Sequence, residues 1–127
     1  MAITLRMKLR PEVLAVSRLE AGSALPGWAT AGSLWNITQT GTELSIVCAE
    51  AATPVEARAE RPWRALELEG PIPFGLTGIL ASVLTPLAEA GVGIFAFSTF
   101  DTDFVLVKGE DLERAVATLR DAGHVIL

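Results

Sequence analysis

Two aspartates placed two positions apart, Asp101 and Asp103, are the residues of this sequence best suited to chemistry. A pair of carboxylates can transfer protons or hold an ammonium group. No nucleophile–base pair and no set of metal ligands accompanies them, which argues against catalysis. Aspartate also favours tight chain connections. We therefore expect a structural role for Asp101, whereas for Asp103 ligand binding and turn formation are equally open.

A glycine-rich segment, residues 70–78, is the second feature that could bind a ligand. Its last part, Gly75-Leu76-Thr77-Gly78, precedes a predicted helix. The first N–H groups of a helix have no intrahelical partner and lie at the positive end of the helix dipole, so a carboxylate binds there favourably. The alternative is a loop that only turns the chain, with Thr77 as the helix N-cap. The segment has no Gly-Lys-Ser/Thr and is therefore not a P-loop.

Other motifs of catalytic or cofactor-binding proteins do not fit. Residues 91–96 match the G-x-G-x-x-A pattern, but here a helix precedes and a strand follows, the reverse of a dinucleotide site. His124 is the only histidine and Cys48 the only cysteine, whereas a zinc site takes three or four such ligands. Cys48 lies in an apolar strand and is expected in a core. The sequence therefore predicts no catalytic residue, no metal and no cofactor, and a protein that is not an enzyme.

Composition and charge narrow the class of partner. Half of the residues are hydrophobic and the net charge is −5, all of it from residues 63–127, because the acidic and basic side chains of residues 1–62 cancel. An acidic surface repels nucleic acid and anionic lipid, so we expect neither as a partner. No apolar run approaches the roughly 18 residues of a membrane span, and no signal peptide is recognisable. A single cysteine fits a cytoplasmic location.

Secondary structure is predicted most clearly for residues 63–127. Apolar residues alternate in the strand at 63–69 and recur at helical spacing in the helices, and Gly91 and Gly123 are natural helix stops. The predicted elements are strands at 63–69, 94–99, 103–108 and 124–127, and helices at 77–90 and 111–122. The order β-α-β-β-α-β is that of a four-stranded antiparallel ferredoxin-like unit with both helices on one face of the sheet. The strands at 94–99 and 103–108 are apolar on both faces, so the N-terminal half, a second subunit or both must cover the other face, where Phe95, Phe97, Val105 and Val107 are expected.

The N-terminal half, residues 1–62, is less regular. Strands are predicted at 13–19, 34–40 and 43–50, and a short helix at 54–61. The alternating Arg6, Lys8 and Arg10 are typical of the solvated face of an N-terminal strand. The order of its predicted elements resembles that of a degenerate second copy of the ferredoxin-like unit.

Two stretches carry a resemblance to a known family. Residues 70–80 and 97–107, above all Gly78-Ile79-Leu80-Ala81 and Ser98-Thr99-Phe100-Asp101-Thr102-Asp103-Phe104, resemble the ACT domain. More narrowly, they resemble small bacterial tandem-ACT proteins related to the CASTOR arginine sensors. Residues 14–19 and 44–48 look like the leading half of those proteins. The resemblance covers residues 63–127 well and implies an α+β fold of tandem ferredoxin-like units, with a degenerate N-terminal domain at 1–62 and an ACT domain at 63–127.

The resemblance also implies a function and a site. ACT domains pair and bind amino acids or similar effectors, so it implies a regulatory sensor that forms a homodimer; the alternative is an assembly module that binds no ligand. The aspartate of the Thr-Asp-Phe motif, here Asp103, would contact the polar end of the ligand. The full set of arginine-contacting residues is not matched in this chain, so arginine is not implied as the effector. The ligand-binding residues implied by the resemblance are Phe74, Gly75, Leu76, Thr77, Gly78, Ser98, Thr99 and Asp103.

Overall fold

The computed structural model describes residues 3–127, and two compact units divide the chain. Unit 1 combines the residues up to Pro11 with Arg64–Leu127, and unit 2 consists of Glu12–Trp63. Strands β1 (Arg6–Glu20) and β4 (Ala59–Leu68) contribute residues to both units. The sequence, which predicts domains at 1–62 and 63–127, does not indicate that the first residues group with the C-terminal half. Residues 1 and 2 of the predicted N-terminal domain lie outside the described residues.

Unit 1 has the predicted β-α-β-β-α-β order. After β4 it contains α1 (Ile79–Glu89), β5 (Ile94–Ser98), β6 (Asp103–Lys108), α2 (Leu112–Asp121) and β7 (Val125–Ile126). Strands β5 and β6 pair antiparallel, with Ile94 opposite Val107 and Ser98 opposite Asp103. The α+β class with antiparallel pairing is therefore confirmed, and the predicted strands and helices lie within a few residues of those observed.

One expectation for this sheet is wrong. The strand order of unit 1 is β7-β1-β4-β6-β5, and β7 pairs in parallel with β1, with Met7 opposite Ile126. Residues 63–127 therefore do not form a closed four-stranded antiparallel sheet, because β1 from the start of the chain lies between their first and last strands. The physical reason is that β1 supplies both a hydrogen-bonding edge and an apolar side chain: Met7 is fully buried, and the Arg6 carbonyl accepts the N–H of Glu69 at 2.8 Å.

Both helices of unit 1 lie on one face of the sheet, as predicted. Val105 and Val107 of β6 share one apolar cluster with residues of both helices. Residues directly opposite each other on neighbouring strands point to the same face, so Ile94 and Ala96 lie on the helix side as well. The fully buried members of the cluster are Met7, Leu66, Leu68, Val83, Leu87, Val105, Val107, Ala115 and Leu119.

The opposite face of β5 and β6 carries Phe95, Phe97, Phe104 and Leu106, since these residues alternate with the helix-side set. The rings of Phe97 and Phe104 are stacked with centroids 5.1 Å apart. Leu106 is fully buried, whereas Phe95 and Phe97 are only half-buried. The expectation that Val105 and Val107 share this face with the phenylalanines is wrong, because the register turns both valines towards the helices.

Helix α1 ends at Gly91, which adopts a left-handed conformation. Gly91 has a φ of 74°, and the N–H groups of Gly91 and Val92 donate to the carbonyls of Ala88 and Leu87, which is a Schellman motif.

Pro86 lies inside α1, lacks an N–H group and leaves the Ser82 carbonyl without its helical donor. The buried ring of His124 supplies the partner: its Nδ1 accepts the N–H of Leu5 at 3.1 Å, so Nε2 carries the proton and donates to the Ser82 carbonyl at 2.9 Å.

Unit 2 contains β2 (Asn36–Gln39) and β3 (Glu43–Ala49) beside its parts of β1 and β4, in the order β2-β3-β1-β4. Its core includes Ile46 and Cys48, both fully buried. The helix expected at 54–61 is wrong: a turn closes from Ala57 to Pro54, and β4 begins at Ala59. Between residues 12 and 63 the structure has two 3₁₀ turns and no α-helix, so a complete second ferredoxin-like unit is not confirmed. Across residues 3–127, no helix combines the length and the apolar character needed to cross a membrane.

Candidate functional site

A cavity of about 300 Å³ lies within unit 1, at the start of α1. Its volume is at the lower end of the range found for small-molecule sites, which suits an amino acid or a ligand of similar size. The loop of residues 70–78, the connection between β5 and β6, and the first turn of α1 enclose it. The lining residues are Ile72, Pro73, Phe74, Leu76, Gly78, Ile79, Leu80, Ala81, Ser98, Thr99, Phe100, Thr102 and Asp103.

The loop and the connection hold each other in place. The N–H of Ile72 donates to the Asp101 carbonyl at 2.7 Å. A Cβ atom at Gly70 would lie 2.8 Å from that same carbonyl oxygen, so only glycine permits this approach. The buried Thr102 hydroxyl donates to the Leu68 carbonyl at 2.6 Å and anchors the connection to the end of β4. The mouth of the cavity therefore has a defined backbone, although many of its side chains are exposed.

The first turn of α1 lines the cavity and contains unpaired N–H groups. Gly78 is the N-cap, with a φ of 78° and no side-chain capping bond, and the first intrahelical bond runs from the Ser82 N–H to the Gly78 carbonyl at 3.0 Å. Within the described residues, the N–H groups of Ile79, Leu80 and Ala81 have no acceptor. Thr77 as N-cap is therefore wrong: the left-handed turn at Gly78 starts the helix one residue later, and no side chain competes for these donors.

Asp103 also lines the cavity. It is half-buried at the start of β6, directly opposite Ser98 at the end of β5, and the Ser98 hydroxyl donates to its Oδ1 in a short hydrogen bond. This bond fixes the orientation of the carboxylate and leaves the second oxygen available to a ligand. The neighbouring Thr99 and Thr102 close the turn, with the Thr99 N–H donating to the Thr102 carbonyl at 2.7 Å.

Asp101, unlike Asp103, is not placed to bind a ligand in the cavity. It is exposed and is not among the residues that line the cavity. Its backbone carbonyl holds Ile72, which agrees with the structural role expected for it. Among residues 3–127, no group of three or more histidines, cysteines, aspartates and glutamates is arranged to hold a metal ion.

The structure brings together six of the eight ligand-binding residues implied by the resemblance: Phe74, Leu76, Gly78, Ser98, Thr99 and Asp103 line the cavity. Gly75 and Thr77 do not line it, although they belong to the same loop. Sequence reasoning missed the apolar wall formed by Ile72 and Phe100 and the backbone donors of residues 79–81. The sequence could have indicated Phe100 as a site residue, because it lies between Thr99 and Asp103 in the segment 98–104. The apolar wall as a whole depends on how the loop of residues 70–78 packs, which the sequence does not show.

Replacing Gly78 by alanine tests the start of the helix. The positive φ is costly for any residue with a Cβ atom, while the nearest atom, Cδ1 of Ile3 at 3.6 Å from the added Cβ, leaves enough space. We expect the free energy of unfolding to fall by about 1–2 kcal/mol in urea titrations, from backbone strain alone. Gly75→Ala is the matched control, because Gly75 has no positive φ and no heavy atom within 4 Å, and it should change stability by less than about 0.5 kcal/mol. Equal effects of the two substitutions would contradict this account.

The chain was compared with known families and proteins. Residues 58–121 match a family model described as ACT domain, and residues 12–56 match a model described as an N-terminal domain. Over 66 residues the chain is 39% identical to the cytosolic arginine sensor for mTORC1 subunit 1 of Bos taurus. That match covers 48% of this chain and 20% of the sensor, so the chain spans about a fifth of the length of this relative.

Solved structures match over nearly the whole chain. The crystal structure of protein Atu0741 from Agrobacterium tumefaciens is 41% identical, with a TM-score of 0.93 over 99% of this chain and 94% of that chain. The regulatory subunit of aspartate kinase from Thermus flavus is 13% identical, with a TM-score of 0.59 over 96% of this chain and 99% of that one. At that identity the second likeness shows the fold alone.

Proposed function

Because the chain belongs to the ACT domain family, we propose that it is a regulatory protein rather than an enzyme, and that unit 1 binds a small effector of the amino-acid class. The observation that carries this proposal is the cavity at the start of α1, which is lined both by the first residues of α1, whose N–H groups are unpaired, and by Asp103. A sensor of an amino acid and a regulatory subunit of an enzyme are both among the proteins that this chain resembles.

The carboxylate of the effector binds to the N–H groups of residues 79–81. These donors have no acceptor of their own in the described residues, and the partial positive charge of the helix N-terminus adds to the attraction. Since Gly78 has no side chain, no capping group has to be displaced before the ligand binds.

The ammonium group of the effector binds to Asp103. A hydrogen bond between two charged groups is stronger than a neutral one, and the half-buried position of Asp103 reduces screening by water. The Ser98 hydroxyl already orients the carboxylate, and Thr99 adds a second hydroxyl at the same edge. Gly75 and Thr77 act through the shape of the loop rather than by contact.

We further propose that the protein acts as a homodimer in the cytoplasm. The half-buried Phe95 and Phe97 and the position of β5 at the end of the strand order offer an apolar surface and a strand edge for association. Unit 2, with its short 3₁₀ turns, is then a reduced second copy of the ACT plan. Light scattering at tens of micromolar is expected to give the mass of a dimer, and a clean monomer would contradict this part of the proposal.

A thermal-shift screen against the twenty amino acids and common nucleotides tests the ligand. An effector that binds only the folded state stabilises it by about 2.7 kcal/mol when present at 100 times its Kd, so the melting temperature should rise by several degrees for one or a few amino acids. If no compound shifts the melting temperature and light scattering still shows a dimer, the alternative of an assembly module without a ligand is favoured instead.

A further inference from the structure

We infer that the cavity selects an amino acid with an uncharged, apolar side chain over a cationic or anionic one. This inference rests on the proposed function and adds the chemical class of the effector. It follows from the charges and the apolar side chains of the cavity lining. In the proposed function, Asp103 and the first turn of α1 bind only the ammonium and carboxylate groups of the effector, so the rest of the lining contacts its side chain.

The charge of the lining is the first argument. Asp103 is the only charged residue among the described residues that line the cavity, and no lysine, arginine or histidine is found there. When Asp103 binds the effector's ammonium group, no second carboxylate remains for a lysine or arginine side chain. An aspartate or glutamate side chain would likewise find no cation. Placing a charged side chain against this lining removes part of its hydration without an opposite charge in return, so both charged classes bind less well.

The apolar wall is the second argument. The loop contributes Ile72, Phe74 and Leu76 to the cavity lining, and the connection contributes Phe100. Phe74 is 76% exposed, Leu76 56% and Phe100 81%, which is unusual for three large apolar side chains lining one cavity. An apolar side chain of the effector would remove part of this surface from water, which is the favourable term in apolar association.

The arrangement of the two phenylalanines is the third argument. Their rings meet edge to face with centroids 5.1 Å apart, so the edge of one ring already occupies a face of the other. A guanidinium group could still stack on a free face, but at an exposed site such a contact is weak. It does not replace the missing carboxylate, whereas an apolar side chain needs no polar partner.

Isothermal titration with pairs of ligands of similar size tests the inference on the unmodified protein. Norleucine is compared with lysine, whose side chain is one heavy atom longer, and leucine with aspartate, whose side chain has the same number of heavy atoms, because each pair differs mainly in the charge at the end of the side chain. The uncharged member of each pair is expected to bind at least tenfold more tightly. Tighter binding of lysine, arginine, aspartate or glutamate would overturn the inference and leave the proposed function intact. Binding of no amino acid at all would overturn both.

The apolar wall is tested by Phe74→Ala, which removes an exposed ring and should leave the protein folded. We expect the affinity for norleucine to fall about tenfold, while the affinity for alanine, whose side chain is too short to reach far, changes less than threefold. Val55→Ala is the matched control, because Val55 is 91% exposed in unit 2 and distant in sequence from every lining residue, and it should change neither affinity. An unchanged ratio of norleucine to alanine affinity in Phe74→Ala would contradict a role for the wall in selection.

Discussion

Replacing Asp103 by asparagine is expected to weaken the binding of the effector by at least tenfold, or about 1.4 kcal/mol. Asparagine keeps the size of the side chain and an oxygen that can still accept the Ser98 hydroxyl, so the turn between β5 and β6 should be preserved. What is lost is the negative charge of a residue that lines the cavity, and with it the charge-assisted bond to the ammonium group. Isothermal titration measures the affinity, and urea titration shows whether the protein remains folded.

Asp101→Asn is the control for this experiment. It removes the same charge two residues earlier, from an exposed side chain that does not line the cavity, so long-range electrostatic effects on the ligand are nearly matched. We expect a change in affinity of less than about threefold, because exposed charges are screened by water and salt. If Asp103→Asn binds the effector with unchanged affinity, the assignment of Asp103 is wrong even though the family and the fold remain.

Replacing Met7 by alanine is expected to lower the free energy of unfolding by about 2–5 kcal/mol. Met7 is fully buried in the apolar cluster of unit 1, more than fifty residues away in sequence from the other members of that cluster. The substitution removes buried methylene groups and the sulfur and leaves a cavity beneath both helices. Denaturant unfolding followed by circular dichroism gives the change in stability.

Val13→Ala is the matched control, because Val13 belongs to the same strand but is 43% exposed. It should cost less than about 1 kcal/mol, as substitutions away from the core do. A small effect of Met7→Ala, comparable to that of Val13→Ala, would mean that β1 contributes little to unit 1 and that residues 63–127 hold their core without it.

The two aspartates of the segment 98–104 show how far the role of a binding-site residue could be predicted from the sequence. Asp103 and Asp101 are chemically identical, and the sequence left the role of Asp103 open. The structure separates them by position: Asp103 lines the cavity, and Asp101 is exposed and does not line it. The turn at Gly78 also decided which residue caps α1, since Thr77 has the right chemistry for a cap but lies one residue outside the helix.

The sequence by itself determined the local elements of unit 1, because these depend on interactions within a few residues. A run of apolar residues placed β6 at Asp103–Lys108, helical spacing located α1 and α2, and Gly91 and Gly123 stopped them by adopting a positive φ. The loss of the helical donor to the Ser82 carbonyl is likewise local, because it follows from the missing N–H group of Pro86.

Only the tertiary structure decided which distant partners complete these elements. The Ser82 carbonyl bonds with His124, which lies 42 residues further along the chain, and β1 takes the position between β7 and β4. A strand carries the same alternating pattern whichever neighbour it pairs with, so strand order and register leave no local signal. They are set by the hydrogen bonds and apolar contacts that a strand from the beginning of the chain can form in the assembled sheet. For the same reason, the apolar wall around the cavity became visible only once the loop and the β5–β6 connection were placed side by side.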